Sequence, residues 1–177
     1  MHRVLLSVLL SAVLIAAGSS AAWALQSGGV EIGDLETGSV VGQQFSKMQV
    51  DLEFNAMEIG GKKVWYPPTQ VLNLVNSGTG GRASSPVLLK VTNNLSSDHG
   101  FTLSTATSGV DPWSMDIKIV LKPGETKYIG IPMSDLTYVT TSGLLKYSCQ
   151  LHAAHLGGQL LILKRSEERR VGKECRS

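Results

Sequence analysis

The sequence predicts an all-β fold, an antiparallel Greek-key β-sandwich or barrel of about eight short strands. Three observations predict it. Short runs of alternating apolar and polar residues recur along the chain. Gly, Pro, Asn and Ser clusters separate those runs. No helical periodicity of about ten residues appears after the N-terminal segment.

The elements follow in order. Residues 1–24 read as a signal peptide. Arg3 gives a positive start, residues 4–17 an apolar stretch, and Ala22-Trp23-Ala24 a small-x-small cleavage site. The apolar run is too short for a membrane span, so an exported protein is expected, periplasmic or extracellular, with no span left after cleavage. Residues 25–45 are rich in Gly and Ser without clean periodicity and read as an extended N-terminal arm. Residues 48–59 then alternate, with Leu52, Phe54 and Ala56 on one face and Asp51, Glu53 and Asn55 on the other. After the Gly60-Gly61 turn, residues 64–66 form an edge strand that Pro67-Pro68 interrupts and that resumes at Thr69. A Gly/Ser/Thr loop occupies residues 76–85.

Residues 87–92 are a β-branched, apolar strand ending at Asn93-Asn94, and a short polar loop leads to His99. Phe101, Leu103 and Thr105 alternate onward, and Met115, Ile117, Ile119 and Leu121 mark another strand. Lys122-Pro-Gly-Glu125 is a turn in which Pro presets φ and Gly supplies a positive φ. Residues 126–133 form its hairpin partner, 134–142 a loop, and 144–148 and 159–163 the last two strands.

Residues 165–177 differ in kind. Five basic and three acidic residues surround a single aliphatic, Val171, so this stretch reads as a non-native or disordered tail. It distorts the charge balance. Removing Arg3 and the five tail bases from 16, and the three tail acids from 14, leaves residues 25–164 at −1. A near-neutral domain gives no electrostatic footprint for nucleic acid.

The chemistry concentrates between the last two strands. Cys149, His152 and His155 fall within seven residues, and His99 is the only other histidine after residue 24. A soft thiolate with imidazoles selects copper, zinc or iron over magnesium or calcium. Adjacent loops at one end of a sandwich can bring His99 to this cluster. A bland alternative is a disulfide between Cys149 and Cys175, the only two cysteines. It leaves the crowding of histidines around one cysteine unexplained.

At these residues the chain resembles the cupredoxins, the small blue-copper proteins. The resemblance spans roughly residues 46–163, within an expected copper-binding domain of residues 46–164. It rests on the Asn94…His99 element, the Leu121-Lys-Pro-Gly-Glu-Thr126 turn, the Tyr147-Ser-Cys149 approach and the C-x2-H of Cys149 and His152. It implies one copper per domain, held by His99, Cys149 and His152, in an exported, non-enzymatic electron carrier with a redox partner such as a cytochrome or oxidase. Asn94 or a neighbouring backbone N–H is the expected hydrogen-bond donor around the sulfur. The chain departs from the pattern in two ways. The family's methionine, five residues after the histidine, is here Gly157, and His155 is extra. His155 could replace His152, join it as a further ligand or hydrogen-bond from outside, and Gln159 is another axial candidate; His152 is the favoured equatorial residue. A copper-handling role, as chaperone, store or resistance protein, is the alternative function.

Overall fold

The computed structural model describes residues 30–40, 43–74, 86–105, 115–139 and 143–163. Residues 1–24, read as a signal peptide, the expected loop at 76–85, Trp113, Cys175 and residues 165–177, read as a tail, lie outside the described residues.

Two five-stranded sheets pack face to face. The first has the order β1 (Glu31–Gly33), β10 (Thr126–Ile131), β7 (Val87–Asn93), β4 (Leu52–Ile59), β5 (Lys62–Tyr66). The second runs β6 (Thr69–Asn73), β12 (Gly158–Leu163), β11 (Leu144–Ser148), β8 (His99–Thr105), β9 (Asp116–Leu121). β2 (Ser39–Val40) and β3 (Gln43–Gln44) form a separate two-stranded ribbon beside β1, where the Ser39 amide donates to Glu31 Oε1. The expected sandwich is present and no barrel closes among the described strands.

Alternation explains the layers. In β9 the period of two places Ile117, Ile119 and Leu121 inside and Asp116, Lys118 and Val120 outside. In β4 Leu52, Phe54 and Ala56 face inward. Between the sheets Phe54, Phe101 and Tyr147 pack tilted, edge-on or stacked, with centroids 4.9 to 6.0 Å apart. The Tyr147 hydroxyl donates to the Pro67 carbonyl, which satisfies the one polar atom that this ring carries into the core.

Four features differ from the expected pattern. The sheets are mixed, because β4 pairs with β7 and β6 with β12 in parallel. The chain changes sheets at Pro67-Pro68, so β5 closes the edge of one sheet and β6 opens the edge of the other. The segment read as an arm supplies β1, which pairs with β10, and Phe45, which packs with Leu88 and Tyr128 in a second apolar cluster. Finally, residues 133–139, within or beside an expected loop, form a short helix, α1 (Met133–Val139), whose first amide bonds reach the Pro132 carbonyl. Seven residues are too few to display an amphipathic repeat.

Candidate metal centre

The site lies at one end of the sandwich, where β8 begins and β11 ends. Pairing of His99 with Leu121 fixes the first residue of β8 against β9, and pairing of Ser148 with Thr102 fixes the end of β11 against β8. Cys149 follows at once. The thiol and the His99 ring are therefore carried by adjacent strands of one sheet, although they are 50 residues apart in sequence.

The loop before His99 is held from inside. Asn93 is fully buried, and its Nδ2 donates to the carbonyls of Ser97, Leu121 and Lys122 at 2.8 to 3.1 Å. Its Oδ1 accepts from the Leu95 amide at 3.0 Å. Asn94, expected near the sulfur, is instead exposed and donates to Asn55 Oδ1. The strand's alternation decides this: Asn93 points inward and its neighbour cannot.

The 149–157 loop is held from both sides. Gln150 Nε2 donates to the Ile119 carbonyl at 2.9 Å, and its side chain crosses Gly100, where a Cβ would collide with the Gln150 amide. On the other side Leu156 bridges to β5, its amide donating to the Lys63 carbonyl and its carbonyl accepting from the Trp65 amide, each at 2.9 Å. Gly157 lies so close to β11 that a Cβ there would collide with the Tyr147 carbonyl oxygen. The position where the family pattern has methionine thus has no room for a side chain on this backbone.

All four expected residues converge. Cys149 Sγ lies 3.8 Å from His99 Nδ1 and 3.7 Å from His152 Nδ1. His155 Nδ1 lies 2.9 Å from His99 Nδ1. One set of donors, those of His99, Cys149 and His155, lies with every member within 4.8 Å of every other, and all three residues are buried. His152 is only partly buried, its ring centroid 4.5 Å from that of His99. Gln159, the other axial candidate, is exposed on the outer face of β12, while its neighbour Leu160 turns into the core. Cys149 carries a free thiol.

The buried rings of His99 and His155 are neutral near pH 7. Burial, followed by the neighbouring imidazoles of His155 and His152, holds His99 at about 4. Burial likewise lowers His155, against a contrary pull from the Val64 backbone. A neutral imidazole is the form that can donate a lone pair to a metal. With Nδ1 so used, the proton of His99 resides on Nε2, and Ser97 Oγ stands 3.1 Å away to accept it. His155 Nε2 is buried without a hydrogen-bond partner of normal geometry. Its ring is stacked on Trp65 at 5.3 Å and 13°.

The donor set fits a metal ion. Donors each about 2.0–2.3 Å from one first-row ion lie at most ~4.3 Å apart; His99 is within that limit of both Cys149 and His155, and Cys149 is within it of His152. Ser97, Asn93, Gln150 and Trp65 are the parts of the site that sequence reading missed. For Trp65 a signal existed in its place beside the strand-breaking Pro67-Pro68, but nothing local tied it to a loop so distant in the chain.

No family model and no curated protein sequence matches the chain. Among solved structures it is similar to amicyanin from Paracoccus versutus (Thiobacillus versutus), with 10% identity, 66% of this chain and 86% of that one covered, and a TM-score of 0.40. It is also similar to auracyanin B (12%, 66% and 92%, 0.40). A purple cupredoxin from Nitrosopumilus maritimus gives 14% identity, 63% and 99% coverage and a TM-score of 0.39. Overlap this loose carries no weight for the site, whose own atoms support the reading that follows.

Proposed function

We propose that the protein is a mononuclear copper protein that carries electrons, with His99, Cys149, His152 and His155 as its metal-binding residues. One observation carries this reading: a buried thiol and buried imidazole nitrogens within 4.8 Å of one another, at the end of a β-sandwich. Bound copper would supply a one-electron couple between Cu(I) and Cu(II). One thiolate with imidazoles, and no methionine in the loop, is a donor set that accommodates both oxidation states.

The chain's contribution is rigidity and access. His99 is fixed by its strand and by the loop that Asn93 ties together, and Cys149 by the end of β11. Ligands that cannot move keep the reorganisation on electron transfer small. His152 and the exposed Leu151, Ala153 and Ala154 form the solvent side of the site, where a redox partner such as a cytochrome or oxidase would approach. Export to the periplasm or beyond, and a carrier rather than an enzyme, complete the reading.

Visible absorption and EPR spectra of the full chain with added Cu(II), beside Cys149→Ala, test it. The expected result is a sulfur-to-copper charge-transfer band in the parent, absent in the variant, with a reversible potential. No such band in the parent would sink the reading. A band without reversible cycling, with copper lost on reduction, would favour copper handling instead.

A further inference from the structure

The family resemblance makes His152, in C-x2-H spacing, the second imidazole of the centre. The atoms favour the other histidine. We propose that His155 is the fixed second imidazole, and that His152 is an exchangeable outer ligand whose place a small nitrogen-donor molecule can take. This rests on the metal centre proposed above and specifies how it is built.

Four observations carry it. The donors that are all close to one another are those of His99, Cys149 and His155; His152 Nδ1 reaches the thiol at 3.7 Å but is not in that mutually close set. His155 is 4% exposed and its ring lies parallel to the fully buried indole of Trp65, so it cannot rotate away without opening the core. The backbone just after it is pinned in both directions, since Leu156 donates to Lys63 and accepts from Trp65. His152, by contrast, is half-buried, and both residues after it are exposed, as is Leu151 before it at 46%. Its only ring contact among the described residues is with His99.

The closure of position 157 sharpens the point. A side chain there would strike the Tyr147 carbonyl, so residue 157 offers no donor to the solvent side of the centre. That side is left to His152, a side chain on an open turn. Losing it would expose the ion to a ligand from solution, whereas losing His155 would remove a wall of the site.

The full chain, its His152→Ala, His155→Ala and Cys149→Ala variants, and Cu(II) with free imidazole as the probe decide the matter. His152→Ala is expected to keep the sulfur-to-copper band and to bind copper within roughly 10-fold of the parent. It should also show a saturable spectral shift with imidazole at a lower concentration than the parent, in which His152 competes for the same place. His155→Ala is expected to lose the band and bind copper at least roughly 100-fold more weakly, with far-UV circular dichroism showing that the sheets remain. If His155→Ala fails to fold, His152→Ala still decides, since loss of its band overturns the proposal. Retention of the band by both variants, or by His155→Ala alone, also overturns it while leaving the copper reading standing. A parent without a Cys149-dependent band overturns both.

Discussion

Single residues set the boundaries of the site, and Asn93 is the clearest. It serves three carbonyls and one amide from a position with no exposure, and removing its amide would take a hydrogen bond from each of them. Asn93→Ala should therefore destabilise the metal-free protein by about 2–4 kcal/mol, read as a fall in the urea midpoint. A midpoint unchanged within error would mean that water replaces the side chain. Gly157 is constrained by space rather than by conformation. Gly157→Ala places a methyl against the Tyr147 carbonyl and should cost about 1–3 kcal/mol; a neutral result in the same melt would show that the loop can retreat. Histidine charge sets the pH behaviour. His99 sits at about 4 in the fold against an ordinary 6.5, so between these values the unfolded chain binds more protons. Metal-free stability should then be full above about pH 6.5 and fall by about 3 kcal/mol as pH drops to about 4. Urea unfolding at a neutral, an intermediate and an acidic pH across that window measures this, and a flat profile would contradict the burial of a neutral ring.

At the scale of elements, β5 is the part that does most for the centre without supplying a ligand. Its Lys63 and Trp65 hold Leu156 through two backbone hydrogen bonds, Val64 bridges Leu156, and its Trp65 ring backs His155. Trp65 also packs edge-on against Phe101 at 5.0 Å, so one residue joins the hydrophobic core to the metal loop. Trp65→Ala should destabilise the fold by about 3–5 kcal/mol through the cavity alone. It should also weaken copper binding more than Asn93→Ala does, because His155 loses its support. Isothermal titration of both variants with Cu(II) compares them, and equal losses would count against a role for stacking. The elements also show what could be read from the sequence. The alternations in β4, β8 and β9, the turn at residues 122–125 and the crowding of Cys149, His152 and His155 were all legible, since each is a local pattern. Parallel pairing of β4 with β7 and of β6 with β12 was not, because strand order is set by where the chain changes sheets. The burial of His155 against Trp65 was equally hidden: a histidine three residues past another carries no local sign of which one faces inward.

For the molecule as a whole, the centre matters because it joins parts that are distant in sequence. His99 opens β8, Cys149 follows the end of β11, and His155 lies in a loop fastened to β5 of the opposite sheet. A metal ion held by all three would tie the start of β8 to the loop between β11 and β12 at one end of the second sheet, and unfolding would have to break that link. Without metal the same end brings together three imidazoles, two of them hydrogen-bonded with nitrogens 2.9 Å apart, an arrangement held by packing and by the hydrogen bonds to Ser97 and Cys149. Metal should therefore add stability by mass action, about 4 kcal/mol when free metal stands at roughly a thousand times its dissociation constant. For a chain of this size that is a rise in melting temperature of roughly 8–16 °C. Thermal melts of the full chain with and without Cu(II), and again after a chelator, measure it. The rise should reverse with the chelator and be largely abolished in Cys149→Ala. A rise that persists in Cys149→Ala would place the stabilising metal elsewhere on the molecule, and the link between β8 and the loop after β11 would then play no part in its stability.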